Sequence, residues 1–133
     1  MSPTRIQRRR TAGWTAPLDA QGRKPVYVGR GSQWGNPWVV IKTDTGTGWA
    51  VNWAGHTQQQ RPKGLRDFIL ANDQRDAHTL AVELFEIYVN HRPQLWVAVP
   101  KQLAGRDLMC WCAESLPCHA AVLLALANEG SSE

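Results

Sequence analysis

Apolar positions along this chain keep a strand-like spacing in the first half and a helical one in the second. Val26-Tyr27-Val28 is a short run of β-branched and aromatic residues, ended by Gly29-Arg30-Gly31-Ser32. Trp38-Val39-Val40-Ile41 reads as a second strand, and Gly46-Thr47-Gly48 as a turn. Trp49-Ala50-Val51-Asn52-Trp53 then alternates like a hairpin partner. Residues 54–64, with His56 and three glutamines, form a polar loop, and Leu65 to Leu70 are expected as a short helix. From Asp76 the period changes. Leu80, Leu84, Ile87 and Tyr88 recur at helical spacing with Ala77 and Ala81 beside them. Asp76 is the expected N-cap, because its carboxylate can accept the orphan amides of the first turn. Pro93 follows the end of that pattern, and a second helix is expected over 94–104 despite Pro100. Gly105 turns the chain into a buried strand over Asp107–Trp111. Pro117 suits the start of a last helix running to Asn128, with Gly130 as its stop and a frayed tail beyond.

These elements predict a single mixed α/β domain, with a sheet of three to five strands and helices packed on it. A chain of 133 residues fits one domain. It buries roughly two-thirds of its unfolded surface, enough for a core without staples. No apolar run approaches the ~18 residues of a membrane span, so no membrane partner is expected. No signal-type apolar segment follows the N-terminus, and a cytoplasmic setting is expected.

Charge changes the picture at one end. The formal net charge is +4. Arg5, Arg8, Arg9, Arg10, Arg23, Lys24 and Arg30 face only Asp19 in the first thirty residues, so the whole excess is N-terminal. Residues 1–25 read as a basic arm ahead of a domain at 26–130. Arg8, Arg9 and Arg10 could attract the phosphates of a nucleotide or nucleic acid, or form a merely solvated arm.

The candidate chemistry is concentrated in Cys110-Trp111-Cys112 and Pro117-Cys118-His119, which hold every cysteine of the chain. Three thiols and an imidazole are the donors that a soft divalent metal such as zinc requires. On a strand, Cys110 and Cys112 share a face while Trp111 packs on the other. Cys118 in the first turn of a helix is placed to be a thiolate. His119 is the nearest fourth donor, with His56, His78, His91 or a water as alternatives. Without metal, Cys118 becomes a candidate nucleophile with His119 as its base. The thiols could also be buried and inert. A deaminase is disfavoured, since Pro117-Cys118 is not followed by the second cysteine of that signature.

A second unusual stretch is Gly29-Arg30-Gly31-Ser32-Gln33-Trp34-Gly35-Asn36-Pro37-Trp38. Its glycines allow positive φ and close approach to backbone. Arg30, Ser32 and backbone amides could hold a phosphate, and Trp34 or Trp38 could stack on a base. The alternative is a tight turn whose tryptophans fill a small core. Of the tryptophans, Trp34 and Trp111 are the two expected near a functional cleft.

Taken with the opening Arg5–Trp14, the blocks Val26–Arg30, Trp34-Gly35-Asn36-Pro37, Gly105–Leu108 and Cys110–Ala120 resemble a small domain family of unknown function from bacteriophages and actinobacteria, marked by W-G-N-P and C-W-C…C-H motifs. The resemblance implies a small α/β domain, a phage-encoded origin, and one site drawing on residues 30–37 and 110–119. It also makes residues 43–75 look like an insertion. It implies no reaction, and whether the chain is an enzyme stays open. Three functions follow. The leading one is a zinc site on Cys110, Cys112, Cys118 and His119 serving a nucleotide or nucleic-acid pocket lined by Arg30, Ser32, Trp34 and Asn36. The second is a metal-free thiol enzyme using Cys118. The third is a non-catalytic protein that binds a host protein.

Overall fold

The computed structural model describes residues 3–43, 48–55, 59 and 61–129. Among the described residues, six strands and three helices run in the order β1 (Arg5–Gln7), β2 (Val26–Tyr27), β3 (Trp38–Lys42), β4 (Trp49–Trp53), β5 (Phe68–Ala71), α1 (Gln74–Asn90), α2 (Pro93–Leu103), β6 (Leu108–Cys110) and α3 (His119–Asn128). The α/β class matches the expectation from the sequence. The strands divide between two small sheets, one parallel in the order β1-β6-β2 and one antiparallel in the order β3-β4-β5.

β6 is the centre of the parallel sheet. Its Leu108 and Cys110 are buried, as a strand covered on both faces requires. β1 pairs with it from Arg5↔Leu108 to Gln7↔Cys110, and β2 from Val26↔Leu108 to Tyr27↔Met109. The ladder continues past the strand ends, with Val28 N donating to Met109 O at 2.8 Å and Arg8 N to Cys110 O at 2.7 Å. The basic lead-in therefore differs from a free arm: its Arg5-Ile6-Gln7 segment is an edge strand. Parallel neighbours so far apart in the chain leave no local signal that would reveal this.

In the antiparallel sheet, β4 lies between β3 and β5, with Trp38↔Trp53 and Val51↔Ile69 among the paired positions. The short helix expected over 65–70 is corrected here: Phe68–Ala71 form β5. Ile69 and Ala71 face the core while Phe68 and Leu70 face outward, an alternation that pairing with β4 imposes over helix propensity. The turn expected at 46–48 and the loop around His56 lie largely outside the described residues, as does the tail from 130.

α1 carries two faces. Ala77, Ala81 and Leu84 pack on the antiparallel sheet, while Phe85, Tyr88 and Val89 enter the main core with Val28, Leu108, Leu123 and the cysteines. The helix begins earlier than its apolar period suggested. Asp73, not Asp76, is the N-cap: its Oδ1 accepts from Asp76 N at 2.8 Å. Asp76 sits inside the first turn and accepts from Asn72 N at 2.8 Å. α2 starts on Pro93 and continues through Pro100. Among the described residues, no helix is long and apolar enough to cross a membrane.

Candidate metal centre

The cysteine block is shaped by three elements. β6 ends on Cys110, so the expected strand is shorter at its far end, and Trp111 and Cys112 lie in the bend that follows. Trp111 consequently does not pack into a core; 38% of it is exposed. Cys118 caps α3 from outside the helix rather than lying in its first turn. The return loop is pinned by its backbone. Arg5 donates to Leu116 O at 3.0 Å, to Glu114 O at 2.8 Å and more weakly to Ala113 O at 3.5 Å. Gln7 Oε1 accepts from Glu114 N at 3.2 Å, and Arg75 donates to Ser115 O at 2.8 Å.

Under these constraints the Sγ atoms of Cys110, Cys112 and Cys118 all lie within 4.8 Å of one another, close enough to hold a metal ion. Cys110 and Cys118 are buried and Cys112 is half-buried; all three are free thiols. Cys110 Sγ is 2.8 Å from Cys118 Sγ. The cluster favours one negative charge, placed on Cys118. Hydrogen bonds with Cys110 and Cys112, and then with His119, draw the Cys118 thiol far below its ordinary value. Its bonds with Cys110 and Cys118, together with burial, push Cys112 strongly up. Cys110 is lowered by its bond with Cys112, but the bond to Cys118 and burial outweigh this and raise it to about 11.

His119 lies beside this cluster rather than among its mutually close sulfurs. Its Nε2 is 2.7 Å from Val28 O, and a carbonyl can only accept, so Nε2 carries the proton. Nδ1 is 3.6 Å from Cys118 Sγ: carrying a proton it donates to the Cys118 thiolate, and without one its lone pair can serve a metal. Phe85 packs edge-on against the imidazole at 5.0 Å between ring centres. His91 is remote from the cluster: it ends α1, and its Nδ1 lies 2.8 Å from Ile87 O. His78, on α1, lines the cleft over the cysteines. Burial lowers its pKa below 6.5, partly offset by the Cys118 charge. His56 lies outside the described residues.

The cleft has a volume of about 630 Å³. Arg10, Tyr27, Arg30, Asn36 and Trp38 line it together with all three cysteines and His119. The two motif blocks thus meet in one concavity. The Gly/Trp residues play distinct parts in it. Arg30 is exposed at the wall. Asn36 acts as a strut, with Nδ2 donating to Ala81 O on α1 at 3.1 Å and Oδ1 accepting from Trp38 N at 2.9 Å. The Ser32 hydroxyl donates to Gly29 O at 2.7 Å and accepts from Trp34 N at 3.2 Å, which folds the loop on itself. Gly31 at φ +93° permits that fold. Trp34 is 4% exposed and belongs to the core, whereas Trp38 lines the cleft. Three contributors were not expected at the site from the sequence. Arg5 and Gln7 sat in an apparent arm, and Tyr27 sat in a run read only as a strand.

This domain of unknown function, DUF4326, spans residues 6–129. The chain belongs to that family. No curated protein and no solved structure matches it. For this member of the family, the arrangement of side chains is therefore the guide to chemistry.

Proposed function

We propose that this DUF4326 domain binds zinc on Cys110, Cys112 and Cys118 and uses the cleft above it to bind or act on a nucleotide or nucleic acid. The observation that carries the reading is the convergence of three otherwise unpaired thiols at the floor of a cleft with arginines in its wall. The donor set fits the metal: three soft sulfurs with no carboxylate among them, and one already favoured as thiolate. His119 is the candidate fourth ligand through Nδ1. If it instead stays on Cys118, the fourth position is left to water or ligand, and the centre is catalytic in type. Zinc there would act as a Lewis acid. Arg10 and Arg30 would hold the anionic part of the ligand. A cytoplasmic, phage-encoded setting is part of this proposal, supported by the motif resemblance and by free thiols.

The test is elemental analysis of untagged protein beside Cys112→Ser. About one zinc per chain in the first and none in the second is expected. Metal-free protein from zinc-supplemented cells, with no stabilisation on adding zinc, refutes the metal centre. One observation favours a second reading. Cys118 Sγ and His119 Nδ1 are a thiol–imidazole pair at 3.6 Å, which suits a nucleophile with its base. That reading predicts rapid, stoichiometric alkylation of Cys118 in metal-free protein, abolished in His119→Gln.

A further inference from the structure

The wall of the cleft has a charge pattern that a metal centre alone does not explain. Arg10 and Arg30 are exposed, and no carboxylate is among the residues lining the cleft. Neither guanidinium has an ion pair or a side-chain hydrogen bond among the described residues. Arg10 instead lies over the Trp111 ring, 4.6 Å from its centre. Arg8 spans the other aromatic of this wall, 4.9 Å from the centre of Trp111 and 5.2 Å from that of Tyr27. Stacking of this kind fixes the plane of a guanidinium and leaves its N–H edge available as a fork for an anion.

The same stacking argues against base recognition at this wall. A nucleobase on Trp111 would have to compete with guanidinium groups already resting on it. Trp38, which also lines the cleft, is 2% exposed and offers a base no open ring face. The volume, about 630 Å³, lies in the range of small-molecule sites. A strand of nucleic acid would call for a cationic stripe leading out of the cleft. Apart from Arg8, which rests on Trp111 and Tyr27, the neighbouring cations Arg5 and Arg75 are engaged on the cysteine loop, Arg9 towards Glu114, and Arg23 on Asp19.

We propose that the cleft binds a small phosphorylated molecule through its phosphate, held between Arg10 and Arg30, rather than a nucleic-acid strand. This rests on the cleft being the functional site, and it narrows the ligand class of that site. It does not depend on which metal the cysteines hold.

The experiment is calorimetric titration of the protein, at its measured metal content, with adenosine monophosphate, ribose 5-phosphate, adenosine and a short single-stranded oligonucleotide. The two phosphate esters are expected to bind with similar affinity and adenosine not to bind. Arg10→Gln and Arg30→Gln should each weaken ribose 5-phosphate at least about tenfold, and Arg→Lys at either site should restore part of the loss. Both side chains are exposed, so circular dichroism and zinc content should be unchanged in the variants. Adenosine binding as well as its monophosphate, or wild-type affinity in both Gln variants, would overturn phosphate recognition. An oligonucleotide binding far tighter than the monophosphate would overturn the small-ligand assignment. No binding by any probe to protein of normal zinc content would overturn the cleft proposal and leave the metal centre standing.

Discussion

Replacing Arg5 by Ala tests the link between the N-terminal strand and the cysteine centre. Arg5 leaves β1 and donates to three carbonyls of the loop joining Cys112 to Cys118, at 2.8, 3.0 and 3.5 Å. The two shorter contacts have good geometry; the third is marginal. A charged hydrogen bond contributes roughly 1.5–3 kcal/mol when well buried, and this site is only partly so. Water can reach part of the exposed carbonyl of Glu114 once the side chain is gone. About 2 kcal/mol is the expected loss for the pair together. For a domain of this size that corresponds to a fall in Tm of roughly 8 °C. The loop keeps its contacts to Gln7 and Arg75, so the fold should survive. Zinc affinity should fall by more than about tenfold, because Cys112 and Cys118 flank the released segment. Arg5→Lys should recover less than half of either loss, since one ammonium cannot serve as a fork to two carbonyls. The assays are thermal denaturation in chelator and zinc competition against a chromogenic chelator. A change in Tm below about 1 °C with unchanged zinc affinity would refute the clamp.

Further outcomes can be checked alongside. Asp73→Ala should cost about 1 kcal/mol in urea denaturation as the N-cap of α1 is lost, against a smaller effect for Asp76→Asn. Phe85→Ala removes a fully buried ring that touches His119, and a loss of roughly 3–5 kcal/mol is expected. Chelation should lower the Tm of wild-type protein but leave that of Cys110→Ser unmoved, and equal shifts in both would argue against metal on this cluster. His78 has a lowered pKa from burial, so the unfolded chain takes up its proton first as pH falls. Metal-free protein should therefore lose stability below about pH 6.5, and His78→Gln should flatten that slope in denaturation measured between pH 7 and 5.

The legible parts of the fold were those whose signal is local. α1 announces itself through Leu80, Leu84 and Tyr88, and β3 and β4 through aromatic and β-branched runs. One boundary moved for a local reason too: Asp73 and Asp76 are both plausible caps of α1, and only the geometry of the first turn distinguishes them. β5 was not legible, because Phe68-Ile69-Leu70 is a strand only while β4 pairs with it. β1 was hidden for a stronger reason. Three residues, Arg5-Ile6-Gln7, are too few to carry a strand pattern, and their partner lies about a hundred positions away. At the site, the cysteines were legible as a cluster because thiols are rare and were adjacent. Trp34 was not, since a tryptophan in a glycine-rich loop can as well fill a core as stack on a ligand, and here it fills the core.

The site exists because of strand register more than because of either motif. Val28 N bonds to Met109 O at 2.8 Å, which sets the chain leaving β2 beside the end of β6. Gly29 and Arg30 therefore emerge next to Cys110. The carbonyl of the same Val28 then receives His119 Nε2 at 2.7 Å, which ties the first turn of α3 to that junction. One residue thus joins the arginine wall, the cysteine strand and the imidazole by backbone groups alone. A slip of one position in β2 would turn Tyr27 away from the cleft and detach His119 at once. The side chain of Val28 needs only to be apolar and to fit the core, so Val28→Ile should retain the centre. A proline there has no N–H to give Met109 and should lose zinc and cleft binding together, even where far-UV circular dichroism shows the helices still formed. Retention of both by Val28→Pro would show that the two motif blocks hold the site without the sheet.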